Sequence, residues 1–141
     1  MKIIIYATLL IGAMLAAILY LGERRSQKGG TSAYHRITAE EAKKQMENTA
    51  EFILLDVRTQ DEFFEQHIPG AVLIPDFQIS AQAEKTLPKK DTPILVYCRS
   101  GRRSAGAAKQ LVRMGYTQVY DFGGILSWPY ETTSGSGTVS P

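Results

Sequence analysis

Between two Thr-x-x-Glu capping boxes, Thr38-Ala39-Glu40-Glu41 and Thr59-Gln60-Asp61-Glu62, lies Phe52-Ile53-Leu54-Leu55, a run that is apolar at every position. A strand with water on one face alternates apolar and polar side chains, so a run without alternation has to be covered on both faces. Each capping box marks a helix start, because the Thr hydroxyl and the Glu carboxylate satisfy N–H groups that have no partner inside the helix. The same grammar continues along the chain. Helix-forming residues run from Thr38 to about Asn48, and from Thr59 to about Gln66, where Pro69-Gly70 intervenes. A short strand is expected at Ala71 to Ile74, a helical stretch from about Gln78 to Leu87 ending at Pro88, and a buried strand at Ile94-Leu95-Val96-Tyr97. A helix from Ala105 to Met114 follows, with Gly115 as its C′ residue, then a strand from Gln118 to Asp121 and a last helical turn from Gly124 to Trp128. Strands alternating with helices specify α/β architecture, a mainly parallel sheet with helices on both faces. Sites in such sheets form beyond the carboxyl ends of strands.

The chain's 141 residues allow one compact domain with appendages. A formal charge of +2, with basic and acidic residues interleaved, gives no basis for nucleic-acid binding. Cys98 is the only cysteine, which excludes an internal disulfide and a cysteine-based metal cluster; His35 and His67 have no ligand spacing, so no metal site is expected.

The amino-terminal residues stand apart. Ile3 to Leu21 contains no charged residue and interrupts its apolar and small residues only with Tyr6, Thr8 and Tyr20. That is about the 17–25 residues a helix needs to cross a bilayer. We expect residues 1–25 to form an N-terminal membrane anchor or a signal segment, with the membrane contacted through residues 3–21. The run is longer than the usual signal core of about 7–15 residues, which favours an uncleaved single-pass anchor. The alternative is an exported soluble protein, with Thr31-Ser32-Ala33 as the best small-residue cleavage site. Arg24, Arg25 and Lys28 outnumber Lys2, but the free amino terminus narrows that difference, and the sequence leaves the side of the membrane undecided. Residues 26–33 read as a linker, residues 34–130 as the folded domain, and residues 131–141, poor in apolar surface, as a flexible tail.

Chemistry concentrates at Cys98-Arg99-Ser100-Gly101-Arg102-Arg103-Ser104. A thiol between the end of a buried strand and the start of a helix faces unpaired backbone N–H groups and the positive end of the helix dipole. Three arginines add full charges. Such surroundings favour the thiolate, the nucleophilic form. Asp56-Val57-Arg58 ends the preceding buried strand and also places polar residues directly after an apolar run, so the two strand ends can converge.

With these motifs assembled, the chain resembles the rhodanese-like family over Ile37 to Trp128. Four elements carry the resemblance: Asp56-Val57-Arg58; Glu62-Phe63 followed by His67-Ile68-Pro69-Gly70-Ala71; the Cys98 loop; and Gly123-Gly124-Ile125-Leu126-Ser127-Trp128. Gln66 departs from the pattern, standing where the family commonly has Gly. The resemblance implies a rhodanese-like α/β fold, with a sheet of about five strands, preceded here by one transmembrane helix.

It also implies a sulfurtransferase. Cys98 would attack a sulfane sulfur donor such as thiosulfate, and the resulting persulfide would be discharged to cyanide or a thiol, including a protein thiol. No cofactor is implied beyond that covalent intermediate. Arg99, Ser100, Gly101, Arg102 and Arg103 are the expected substrate-binding loop, with backbone N–H groups cradling the anionic sulfur. Gly101 is expected to permit the tight turn, Arg99 and Arg102 to attract the donor, and Arg103 to brace the loop against an acid such as Asp56. Arg58 is counted with the substrate-binding residues, pairing with Glu62 being its alternative. Asp56 and His67 are expected to support the site structurally. Cysteine phosphatases use Cys-x5-Arg, whereas Arg103 gives Cys-x4-Arg, a smaller cradle suited to one sulfur atom rather than a phosphate. The alternative function is a non-catalytic rhodanese-like binding or regulatory module tethered to the membrane.

Overall fold

The computed structural model describes residues 32–136. Its centre is a five-stranded, wholly parallel sheet in the order β1-β5-β4-β2-β3, made of β1 (Tyr34–Arg36), β2 (Ile53–Asp56), β3 (Val72–Leu73), β4 (Ile94–Cys98) and β5 (Val119–Gly124). The central strands are the apolar runs expected from the sequence. All five residues of β4 are buried.

Four helices connect the strands: α1 (Ala39–Asn48), α2 (Gln60–Glu65), α3 (Ile79–Thr86) and α4 (Arg102–Arg113). Both expected capping boxes are present, closed by Thr38 with Glu41 and by Thr59 with Glu62. Strand alternation divides the core between the two sheet faces. On one face Leu55, Val96 and Cys98 pack with Ile79 and Ala83 of α3 and with Ala107, Ala108 and Leu111 of α4. On the other, Leu54, Leu95 and Tyr97 pack with Ala42 of α1, Phe63 of α2, Phe122 and Trp128.

Three differences from the sequence reading matter for the site. First, α4 begins at Arg102 rather than Ala105, because Gly101 adopts φ +104° at the N-cap and turns the chain into the helix at once. Second, β1 was not foreseen: Tyr34-His35-Arg36 has no apolar run, and it is an edge strand held by pairing with β5 on one side. Third, part of the segment read as a loose tail takes a defined place through backbone pairing rather than apolar burial. Thr133 and His67 exchange N–H···O=C bonds at 2.8 Å in both directions, and the Gly135 N–H donates to the Phe64 carbonyl at 2.8 Å. No described helix is long and apolar enough to cross a membrane, and the expected spanning run, residues 3–21, lies outside the described residues.

Candidate active site

Because every strand is parallel, the segments following β2, β3, β4 and β5 all leave the sheet at one edge. Cys98 is the last residue of β4 and is 1% exposed. The loop Arg99-Ser100-Gly101 carries the chain from Cys98 into α4. The early helix start has a direct consequence. The first-turn N–H groups of a helix lack intrahelical acceptors, and here they surround the thiol. The Gly101 N–H donates to Cys98 Sγ at 3.1 Å. Burial by itself pushes the thiol up. It is outweighed by hydrogen bonds from the Ser104 N–H and hydroxyl and from the Gly101 and Ser100 N–H groups, so the thiol is held below its ordinary value.

The loop needs glycine on the facing strand. A Cβ at Gly124 would collide with the Arg99 carbonyl, and one at Gly101 would lie 3.3 Å from Gly123 Cα. The Gly123-Gly124 pair therefore lets β5 run tightly under the thiol loop, where Leu126 N–H donates to the Arg99 carbonyl at 3.2 Å. Arg99, Ser100 and Arg102 are exposed along the rim.

The two remaining arginines pair differently from the sequence reading. Arg103, half-buried on α4, makes a two-pronged bond to Glu62 of α2, with Nη1 to Oε2 and Nη2 to Oε1 both at 2.7 Å. That bond, chief among several, holds the Glu62 carboxyl well below its usual 4.5, at about 2. Asp56, expected as the brace for Arg103, is instead fully buried and engaged by Arg58, whose Nη2 lies 2.6 Å from Oδ2 and whose Nε donates to both carboxylate oxygens at 3.0 Å. Arg58 Nη2 also donates to the Gln66 carbonyl at 2.6 Å, and the guanidinium lies over the Tyr97 ring. At 4% exposure, with these donors engaged, Arg58 ties β2 to the end of α2 and is not placed as a substrate ligand; nor does it pair with Glu62.

His67 is 1% exposed, stacked on Phe63 at 3.9 Å between ring centres, with Nδ1–H donating to the Phe63 carbonyl at 2.8 Å. It positions the segment after α2 and lies on the face opposite Cys98. Gln66, the departure from the family pattern, is extended at φ −164°, a conformation open to any residue, so no glycine is required there.

The sequence reading left Ser104 out of the site. Its signal is a hydroxyl residue at the third position of a helix that starts at Arg102; a start at Ala105 places Ser104 outside the helix. The structure brings together Cys98, Ser100, Gly101 and Ser104, with Arg99, Arg102 and Arg103 around them.

The profile of the rhodanese-like domain matches residues 38–130, the span that contains both strand ends and the thiol loop. The chain belongs to the rhodanese-like domain family. This rhodanese-like domain is 35% identical over 71 residues to thiosulfate sulfurtransferase PspE of Escherichia coli strain K12, covering 50% of this chain and 68% of that protein. It is 34% identical over 95 residues to a sulfurtransferase of Allochromatium vinosum, covering 67% of this chain and 87% of that one. Among solved structures it is similar to a rhodanese-like domain protein of Staphylococcus aureus, with a TM-score of 0.62 and 30% identity over 72% of this chain and 99% of that chain.

Proposed function

We propose that this rhodanese-like domain transfers a sulfane sulfur from an anionic donor such as thiosulfate to a thiophilic acceptor through a persulfide on Cys98. One observation carries the proposal: the only cysteine ends a central strand in a cradle of first-turn donors that favours its thiolate. In the first step the Cys98 thiolate attacks the outer sulfur of thiosulfate, the S–S bond of the donor breaks, and sulfite leaves with the bonding pair. The negative charge moves to the outer sulfur of the new persulfide, where loop N–H groups stabilise it as an oxyanion hole would. In the second step cyanide or a thiolate acceptor takes that outer sulfur, and the Cys98 thiolate departs. No net oxidant or cofactor is required when cyanide accepts. Arg99 and Arg102 draw the anionic donor to the rim, and Arg103 holds positive charge beside the thiolate while Glu62 fixes its direction.

In this reading the apolar residues 3–21 tether the domain to a membrane as a single-pass anchor. Support is the absence of charge across a bilayer-length run. Resistance of the full chain to extraction from membranes at alkaline pH is the expected result; a mature N-terminus near Ala33 or Tyr34 contradicts it.

The activity is tested by incubating the full chain with thiosulfate and cyanide and measuring thiocyanate. Wild type is expected to produce it and Cys98→Ser to fall to background. A second reading, a non-catalytic binding module, draws on the 1% exposure of Cys98. No thiocyanate from wild type above the Cys98→Ser level removes the sulfurtransferase and leaves that module.

A further inference from the structure

Strand order puts the thiol at the centre of its sheet edge, with an exposed apolar side chain on either side. Cys98 ends β4, the middle strand; β5 and β1 lie to one side of it, β2 and β3 to the other. Leu126 sits in the single turn Ile125–Ser127 that follows β5 and is 69% exposed. Its N–H donates to the Arg99 carbonyl at 3.2 Å, which holds it beside the thiol loop. Phe77 sits in the turn Asp76–Gln78 that follows β3 and packs against α4, and it is 71% exposed. One exposed apolar residue needs no explanation. Two that flank a buried nucleophile from opposite sides do.

Charge divides the same rim. Arg36, the last residue of β1, is exposed, and its Nη2 lies 3.9 Å from the place a Cβ on Gly101 would take. Gly101 is the residue whose N–H meets Cys98 Sγ. Arg36, Arg99 and Arg102 enter none of the ion pairs among the described residues. Towards β3 the charges are matched: Arg103 is held by Glu62, and Asp76 stands in the turn that carries Phe77. The rim is therefore positive over the loop and towards β1, and close to neutral towards β3. All three unpaired cations are arginines, whose planar fork suits carboxylates.

We propose that the sulfur acceptor is a cysteine of another protein, on a segment with apolar side chains beside the thiol and Asp or Glu on the side that meets β1. The proposal rests on the sulfur-transfer reading and names its acceptor class. Sulfite has left before the acceptor arrives, so Arg99 and Arg102 can serve a second anionic group in turn. Thiosulfate and cyanide have no apolar surface with which to cover Leu126 and Phe77; a protein segment covers both. In the transfer step the acceptor thiolate attacks the outer sulfur of the Cys98 persulfide. The S–S bond breaks, its electron pair leaves with Cys98 as the thiolate, and the acceptor now carries the persulfide. The sulfane sulfur keeps its oxidation state, so no oxidant or reductant is consumed.

The test uses the full chain and three short synthetic peptides with one central cysteine. The first has leucines beside the cysteine and aspartates towards one end; the second replaces aspartate with lysine, and the third replaces leucine with serine. The chain is loaded with thiosulfate, excess donor is removed, and discharge of the Cys98 persulfide is followed. At equal thiolate concentration the first peptide should accept sulfur about tenfold more efficiently than the other two and than free cysteine. Leu126→Ser and Phe77→Ser should each lower efficiency towards the first peptide about threefold or more, with discharge to cyanide unchanged. Arg36→Gln should at least halve the preference for aspartate over lysine, and added salt should do the same. These three residues are exposed, and the peptide comparison on wild type needs no substitution in the protein at all.

A binding measurement isolates the surface from the chemistry. The first peptide with serine in place of its cysteine should bind wild type more tightly than it binds Leu126→Ser or Phe77→Ser. Equal binding, equal acceptance of sulfur by all three peptides and free cysteine, or equal losses towards peptide and cyanide in the two variants, overturns the proposal. Self-association that Leu126→Ser and Phe77→Ser abolish gives the surface to a second copy of the chain and overturns it as well. A wild type that forms no persulfide removes the sulfur-transfer reading itself. A persulfide that discharges to cyanide but ignores the peptide differences removes this proposal alone.

Discussion

Two arginine–carboxylate pairs stand at neighbouring strand ends of this domain, alike in chemistry and opposite in setting. Arg58–Asp56 is sealed, with side-chain exposures of 5% and 0%. Arg103–Glu62 is half open, at 21% and 26%. Removing either partner from the sealed pair strands a charge in the interior, so that pair is bound to the fold. The open pair is partly solvated, and its guanidinium lies close enough to Cys98 for the thiolate to favour the charged form of Arg103. Burial thus separates two similar motifs into a fastener and a working group.

The largest effect expected from this contrast is on folding. Asp56→Ala leaves Arg58 uncompensated and should destabilise the domain by about 3–5 kcal/mol in urea unfolding, whereas Glu62→Gln should remove about 1 kcal/mol or less. Equal losses would break the comparison. Next comes chemistry. Arg103→Met is expected to slow persulfide formation about tenfold, equivalent to about 1.4 kcal/mol in the barrier, with little change in unfolding. An Arg103→Met protein that is unstable yet fully active when folded would assign both pairs the same structural role.

A smaller effect concerns pH. The Glu62 carboxyl titrates at about 2 in the folded chain against its usual 4.5, so its stabilisation is fully present above 4.5 and fades as pH falls towards about 2. Wild type should therefore lose its advantage over Glu62→Gln across that interval, as read from unfolding midpoints at successive pH values. A gap that stays constant through it would remove the pairing from the account. Smallest of all, Arg99→Ala and Arg102→Ala should each raise KM for thiosulfate a few-fold, less at high salt because exposed charges are screened, and leave stability unchanged.

The sequence made the central sheet legible because a run such as Ile94-Leu95-Val96-Tyr97 has no solvent face, and that alone demands cover on both sides. The two capping boxes were legible for a similar reason: their partners lie three residues apart, within reach of one helical turn. Arginine partners were not. Asp56 and Glu62 are both near Arg58 in sequence, and only the fold brings the side chains of Glu62 on α2 and Arg103 on α4 together and leaves Asp56 to Arg58. Ser104 and Asp121 were missed for the same reason, since 17 residues separate them and their bond exists only because the glycine pair draws β5 under the loop. β1 escaped notice because an edge strand of three residues, Tyr34-His35-Arg36, buries too little to leave a pattern.

The central claim is that Cys98 carries sulfur. Intact-protein mass spectrometry after brief exposure to thiosulfate reads this directly, with a persulfide adding about 32 Da. Wild type should gain that mass, lose it on addition of cyanide, and map it to Cys98, while Cys98→Ser should gain nothing. A wild-type mass unchanged by thiosulfate, or an equal gain in Cys98→Ser, would contradict the account.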